Sequence, residues 1–148
     1  MRRLLRFAVW TMIVAAVTRV AADVASRRYR GATDPDDDEF RLACHVGGVD
    51  AASHAASLRS VGLRLRIGGI SLDLSGATLD PDGAVVDVDL LAGGVALTVD
   101  PSWRVDVEST LAAGDVAVDL PPPEVLPDGA PRLLVRVGGR AGGVTIAA

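Results

Sequence analysis

Two carboxylate pairs are the residues whose spacing best suits chemistry. Asp87 and Asp89, like Asp106 and Glu108, lie two apart in alternating stretches, so on a strand each pair shares one face at about 7 Å separation. Carboxylates so placed can serve hydrolysis or hold a cation. They also form the polar half of alternating strands, where solvated side chains are the ordinary outcome, and no enzyme activity is expected of them. Cys44 and His45 place a thiol next to a base. Adjacent strand residues point to opposite faces, however, so the two diverge and cannot act as a nucleophilic pair. Alternation puts Phe40, Leu42 and Cys44 inward and Arg41, Ala43 and His45 outward. His54 stands in the Ala-rich stretch from Asp50 to Ala56 without an identifiable partner. Ser53, Ser57 and Ser60 lack the strand-turn-helix context that exposes a catalytic serine. One cysteine and two histidines make neither an internal disulfide nor a four-ligand zinc set. No cofactor and no metal is expected.

The charged residues argue about partners. Arg59, Arg64 and Arg66, with Arg136 and Arg140, form two clusters suited to phosphate or acidic lipid. Residues 31 to 148 nevertheless hold eight Arg against 18 acids, a balance of −10. With no aromatic platform beside those arginines, nucleic acid is not an expected partner. Gly31 to Glu39 carries a proline and five acids. It reads as a solvated acidic linker, because a calcium loop needs spaced ligands, a central glycine and a terminal glutamate in register.

These residues sit on elements set by a chain of 148 residues with 49% hydrophobic but only 3% aromatic content, 16 Gly and 8 Pro. That much aliphatic content excludes a disordered chain, and that much glycine disfavours a helical bundle. From Phe40 onward one pattern recurs: Gly-Gly, an aliphatic residue, then alternation. It appears at Gly47-Gly48-Val49, Gly68-Gly69-Ile70, Gly93-Gly94-Val95 and Gly142-Gly143-Val144, and more weakly at Gly114-Asp115-Val116. The second motif positions are 48, 69, 94, 115 and 143, spaced as stacked coils would be. Each pair is followed by a short alternating strand and preceded by another, as in Leu63-Arg64-Leu65-Arg66-Ile67 and Val86-Asp87-Val88-Asp89-Leu90. Glycine between them fits a corner, where φ can turn positive and no Cβ intrudes. Asp80-Pro81-Asp82-Gly83, Asp100-Pro101-Ser102 and Pro127-Asp128-Gly129 supply turns, and Pro121-Pro122-Pro123-Glu124 accounts for the longest interval. The fold class expected is all-β, a small β-solenoid of stacked coils over 40–148. A sandwich of short antiparallel strands is the alternative, since alternation is common to both.

Residues 1 to 30 differ in kind: seven Arg against one acid, +6. Leu4, Phe7, Trp10, Met12, Ile13, Val14 and Val17 mark an apolar run expected to form a helix. From Leu4 to Ala22 such a helix spans roughly 28 Å, close to the ~30 Å hydrocarbon core, if Arg19 snorkels to the interface. A single-pass membrane anchor is the leading reading, with an interfacial or partner-docking helix as the second. Arg19 lies where a signal-peptide cleavage site should be uncharged, which disfavours cleavage. Basic residues flank both ends, so sidedness stays open, with a slight lean to a cytoplasmic domain.

Leu91-Ala92-Gly93-Gly94-Val95-Ala96-Leu97-Thr98-Val99, followed by Asp100-Pro101-Ser102-Trp103-Arg104-Val105, resembles the C-terminal domain of the LiaF-type, cell-wall-active-antibiotic response family. The resemblance runs from about Phe40 to Ile146 and rests on Gly68, Gly69, Gly93, Gly94, Trp103, Arg104, Gly142 and Gly143. It implies a β-solenoid-like domain tethered to a bacterial membrane and, from better-known relatives, a part in modulating an envelope-stress histidine kinase. The sequence departs from the family in having at most one short membrane helix. The family's Phe before Gly-Gly is here Val46, Ile67, Ala92, Ala113 or Ala141. The function expected is a noncatalytic membrane-associated binding or regulatory module acting through protein contacts, its partners membrane lipid and an envelope or signalling protein. The alternative is a structural protein that self-assembles into homo-oligomers.

Overall fold

The computed structural model describes residues 34–148. The N-terminal segment, with Leu4, Phe7, Trp10, Met12, Ile13, Val14 and Val17, lies outside the described residues. Among the described residues there are five long strands, β1 (Glu39–Ala52), β2 (Ser60–Asp73), β3 (Ala84–Thr98), β4 (Arg104–Asp119) and β5 (Arg132–Ala147), with a 3-10 turn at Pro123–Val125. They form one sheet in the order β1-β2-β3-β5-β4, and every neighbouring pair is parallel. The antiparallel sandwich is therefore set aside.

Parallel strands need a return path, and chain length dictates its shape. A straight 14-residue β1 would run about 46 Å, yet only residues 53–59 separate it from β2, and that connection reaches at most ~29 Å. So the strand must fold back on itself. It does so at Gly47, Gly68, Gly93, Gly114 and Gly142, where φ lies between 106° and 152°. The two strands expected per unit are thus two arms of one bent strand. The bend also resets the alternation. In β1 the first arm buries Phe40, Leu42 and Cys44, and the second buries Val49, five residues on. Both arms then face one interior, while Val46 and Ile67 are left outside the corner, 49% and 56% exposed.

The corner glycines stack in register, Gly47 on Gly68 on Gly93 on Gly142 on Gly114. A Cβ on any of the last four would land on the carbonyl oxygen of the preceding glycine in the stack. The second glycine of each doublet differs. At Gly69, Gly94 and Gly143 a Cβ would meet a neighbouring carbonyl at ordinary contact, 3.7–3.8 Å, and β4 carries Asp115 in that row. Only the first glycine is demanded by geometry.

Outside the five strands, the connections after β1 and β2 also pair. Leu58 bridges Leu79 in parallel, both buried, and the Ser57 hydroxyl donates to Asp80 Oδ2 at 2.9 Å. The turns read from sequence form as expected: Gly83 N–H donates to the Asp80 carbonyl (2.8 Å), Trp103 to Asp100 (3.1 Å) and Ala130 to Pro127 (3.0 Å). The motif rows stack as anticipated with one exchange. The row containing Gly48 runs Gly48, Gly69, Gly94, Gly143, Asp115, because β5 inserts between β3 and β4. The 99–103 connection steps past a vacant place in the sheet, and residues 120–131 bring β5 back to fill it.

The two glycines of one doublet therefore differ in consequence. Gly93→Ala loses at least about 3 kcal/mol, from a strained φ and a backbone clash together. Gly94→Ala changes stability by less than about 1 kcal/mol in either direction. Urea unfolding of the two variants checks this.

Candidate functional site

The corner register fixes what lies on the outward face of the first arms. Six residues before each corner glycine stand Arg41, Gly62, Asp87, Arg136 and Glu108, in that spatial order; four before stand Ala43, Arg64, Asp89, Gly138 and Thr110. Charge therefore falls in bands along the strands. β2 contributes Arg64 and Arg66, β3 Asp87 and Asp89, β5 Arg136 and Arg140, and β4 Asp106 and Glu108. Arg136 reaches both acidic neighbours, its guanidinium 3.8 Å from Asp87 and 3.6 Å from Glu108, and Arg64 lies 3.6 Å from Asp89. These side chains are more than half exposed, so each pair contributes at most about 1 kcal/mol. Their weight lies in pattern.

Gly62 and Gly138 interrupt the bands and floor an open groove of about 790 Å³, walled by Arg41, Arg64, Asp87, Asp89, Arg136 and Glu108. Arg41 lies across Gly62, where a Cβ would press on its Cγ at 3.2 Å. The carboxylate pairs are thus brought to one surface with arginines between them, and they do not face each other across a cleft as paired catalytic acids would. The two arginine clusters become separate bands split by an acidic one. Grouping arginines along the chain missed this, and missed Arg41. Counting back from each corner glycine would have found both.

The other candidates resolve individually. Cys44 is fully buried, and burial pushes its thiol pKa up, so it packs as a small apolar side chain. His45 is on the opposite face, as expected. Ser53 is buried with its hydroxyl accepting from Ala55 N–H at 3.3 Å. Trp103 is buried at 6% exposure and lines a small cavity with Pro121, Pro122 and Leu126. Arg104 donates its backbone N–H to the Pro131 carbonyl, while its Nε is buried with no hydrogen-bond partner among the described residues.

One expectation is corrected. His54 does have a partner: its backbone N–H donates to Asp36 Oδ1 at 2.8 Å, and its ring Nδ1 lies 3.5 Å from the same oxygen. The described part of the acidic stretch also makes contacts. Asp38 accepts from Ser57 N–H through its side chain and from Arg59 and Ser60 through its carbonyl, and Glu39 opens β1. Its carboxylates satisfy backbone donors of the 53–59 connection, a use that spacing along the chain cannot reveal.

No family model matches the chain, and no curated protein is similar to it. A solved structure from Clostridium sporogenes, described as a putative cell adhesion protein, is similar in fold, with a TM-score of 0.54 at 16% identity. The match covers 74% of this chain and 54% of that one, so this chain spans about half its length.

Two predictions follow from these contacts. Arg136→Glu aligns three carboxylates and lowers stability by about 1–2 kcal/mol at low salt, a loss that 1 M NaCl largely removes; chemical denaturation at two salt concentrations reads it. The second concerns turn aspartates. The Ser75 hydroxyl and N–H hold Asp73 below the usual carboxylate range; the Asp82 N–H and Ser57 hydroxyl do so for Asp80, and the Ser102 hydroxyl and N–H for Asp100. Groups lowered on folding stabilise above their unfolded pKa, near 3.9, and lose that contribution as pH falls through the lower folded value. The Tm is expected to hold from pH 7 to about 5 and fall below about 4, with Ser102→Ala shrinking the fall.

Proposed function

We propose that this chain is a noncatalytic binding and regulatory module: a small β-solenoid, held at a bacterial membrane by residues 4 to 22, that engages another envelope or signalling protein. The coil shape supports the solenoid, since two arms and a connection stack in register through five parallel strands. The resemblance to the LiaF-type family supports placing the module in envelope-stress signalling.

One observation carries the binding reading: the charge bands beside the groove on the first arms. A partner lying along the stacking direction meets basic, acidic, basic and acidic strands in turn. It must carry alternating charge to gain at each, and a uniformly charged polymer is repelled at every second band. That selects a protein strand or loop over nucleic acid. No bond is made or broken; occupancy of the surface is the mechanism. Residues 4 to 22 contact lipid and hold the groove near membrane-bound partners, raising their effective concentration.

Crosslinking in native membranes with mass spectrometry tests this, comparing the full chain, a chain lacking residues 1 to 30, and Arg64→Glu/Arg66→Glu. The expected result is an envelope protein recovered with the full chain in a salt-sensitive manner and lost from both variants. An unchanged set of crosslinked proteins in Arg64→Glu/Arg66→Glu would sink the groove as the binding surface.

A further inference from the structure

The two edges of the sheet are unlike. Among the described residues β1 pairs only with β2, and β4 only with β5. In β2, β3 and β5 the inward aliphatic side chains are buried, as Val61, Val86 and Val135 are at 0%. In β4 the same rows hold Val105, Val107, Leu111 and Val116, all partly exposed, and Val118 at 50%. Neither a proline nor an inward-pointing charge guards this 16-residue strand, the devices by which edges are usually protected.

We propose that β4 receives β1 of a second copy of this chain, so that copies stack head to tail in one continuous parallel sheet. Three features select that occupant. The first is the corner. In the stack each glycine presents its missing Cβ to the carbonyl of the glycine before it. A sixth strand level with Gly114 therefore needs a positive-φ glycine at its bend, which Gly47 supplies at 106°. The second is the apolar match. With Gly47 level with Gly114, Phe40 meets Val107, Cys44 meets Leu111 and Val49 meets Val116, each facing the interior, while Leu42 meets the polar Ser109.

The third is charge. The band sequence ends on acidic β4, and this alignment sets Arg41 opposite Glu108, as Arg136 stands between Asp87 and Glu108 within one chain. At the start of β4, Arg104 comes level with the acidic turn Asp36-Asp37-Asp38 that precedes β1. One row opposes acids, Asp106 and Glu39, and there Glu39 already faces Arg59 at 3.8 Å. A head-to-tail contact of this kind does not close on itself, and it extends as a filament.

Disulfide trapping in full-length chains tests the register. Ala43 and Thr110 share one outward row at opposite edges, about 19 Å apart within a chain and beyond disulfide reach; in the proposed contact they lie directly opposite. In a Cys44→Ala background, Ala43→Cys and Thr110→Cys chains are mixed and oxidised. A 43–110 heterodimer is expected, with the double variant giving a ladder of higher species, and Val107→Asp on the Thr110→Cys chain should cut the product about tenfold. A 110–110 product alone would mean two β4 edges pairing antiparallel and would overturn the proposal, as would chains that stay unlinked while their circular dichroism remains that of the folded protein.

Discussion

The positive-φ glycine at each corner is the constraint on which the rest depends. Without it a 14-residue strand cannot return through a seven-residue connection, and the inward rows of the two arms could not share one interior. It acts twice at each place, through the backbone angle and through the carbonyl packed where a side chain would begin. Because the corners stack, they also set register. A slip of one residue would turn every aliphatic side chain of both arms outward and would bring a Cβ onto a neighbouring carbonyl. Hydrophobic burial, about 1.5–3 kcal/mol for a fully buried aliphatic residue, supplies the free energy. The corner decides which arrangement can collect it.

Strand order makes the sheet cooperative at its far end. β3 and β4 are joined by five residues, yet they are not neighbours. β3 already pairs with β2, but β4 waits for β5, which pairs with both β3 and β4. β4 therefore gains no ladder hydrogen bonds until the C-terminal strand has inserted, and the closing contacts are non-local, the kind that form slowly. β5 is adapted to an interior place. Besides its corner it has Gly139 in an inward row, where a Cβ would land on the Leu90 carbonyl, so Leu90 and Leu111 fill that layer from either side.

What the sequence disclosed follows the range of each signal. Alternation, glycine doublets and Asp-Pro turns are local, and they gave the buried Cys44, the corners, the turns and the alignment of motif rows. The doublets concealed that their two glycines do different work, which only the stacked neighbour reveals; Asp115 in the weak copy was the visible hint. The pairing of His54 with Asp36 spans 18 residues and leaves no periodic trace. The exchange of β4 and β5 is equally silent, because both carry the same pattern. The charge bands stand between these cases: every residue was visible in the chain, but its neighbours became known only once the corners were aligned.

Those bands show how weak interactions can still specify. An exposed ion pair here adds little to stability, but like charges brought opposite one another are penalised, so alternation from strand to strand disfavours wrong neighbours more than it rewards right ones. The corner applies the same logic more severely. A straight strand laid against β4 could follow one arm, 104–113 or 115–119, before the edge turns away from it. To follow both arms a strand must bend at the same place and carry glycine there. The geometry that lets each strand bend and return thus also restricts what can extend the sheet, leaving an exposed edge that is open to few sequences.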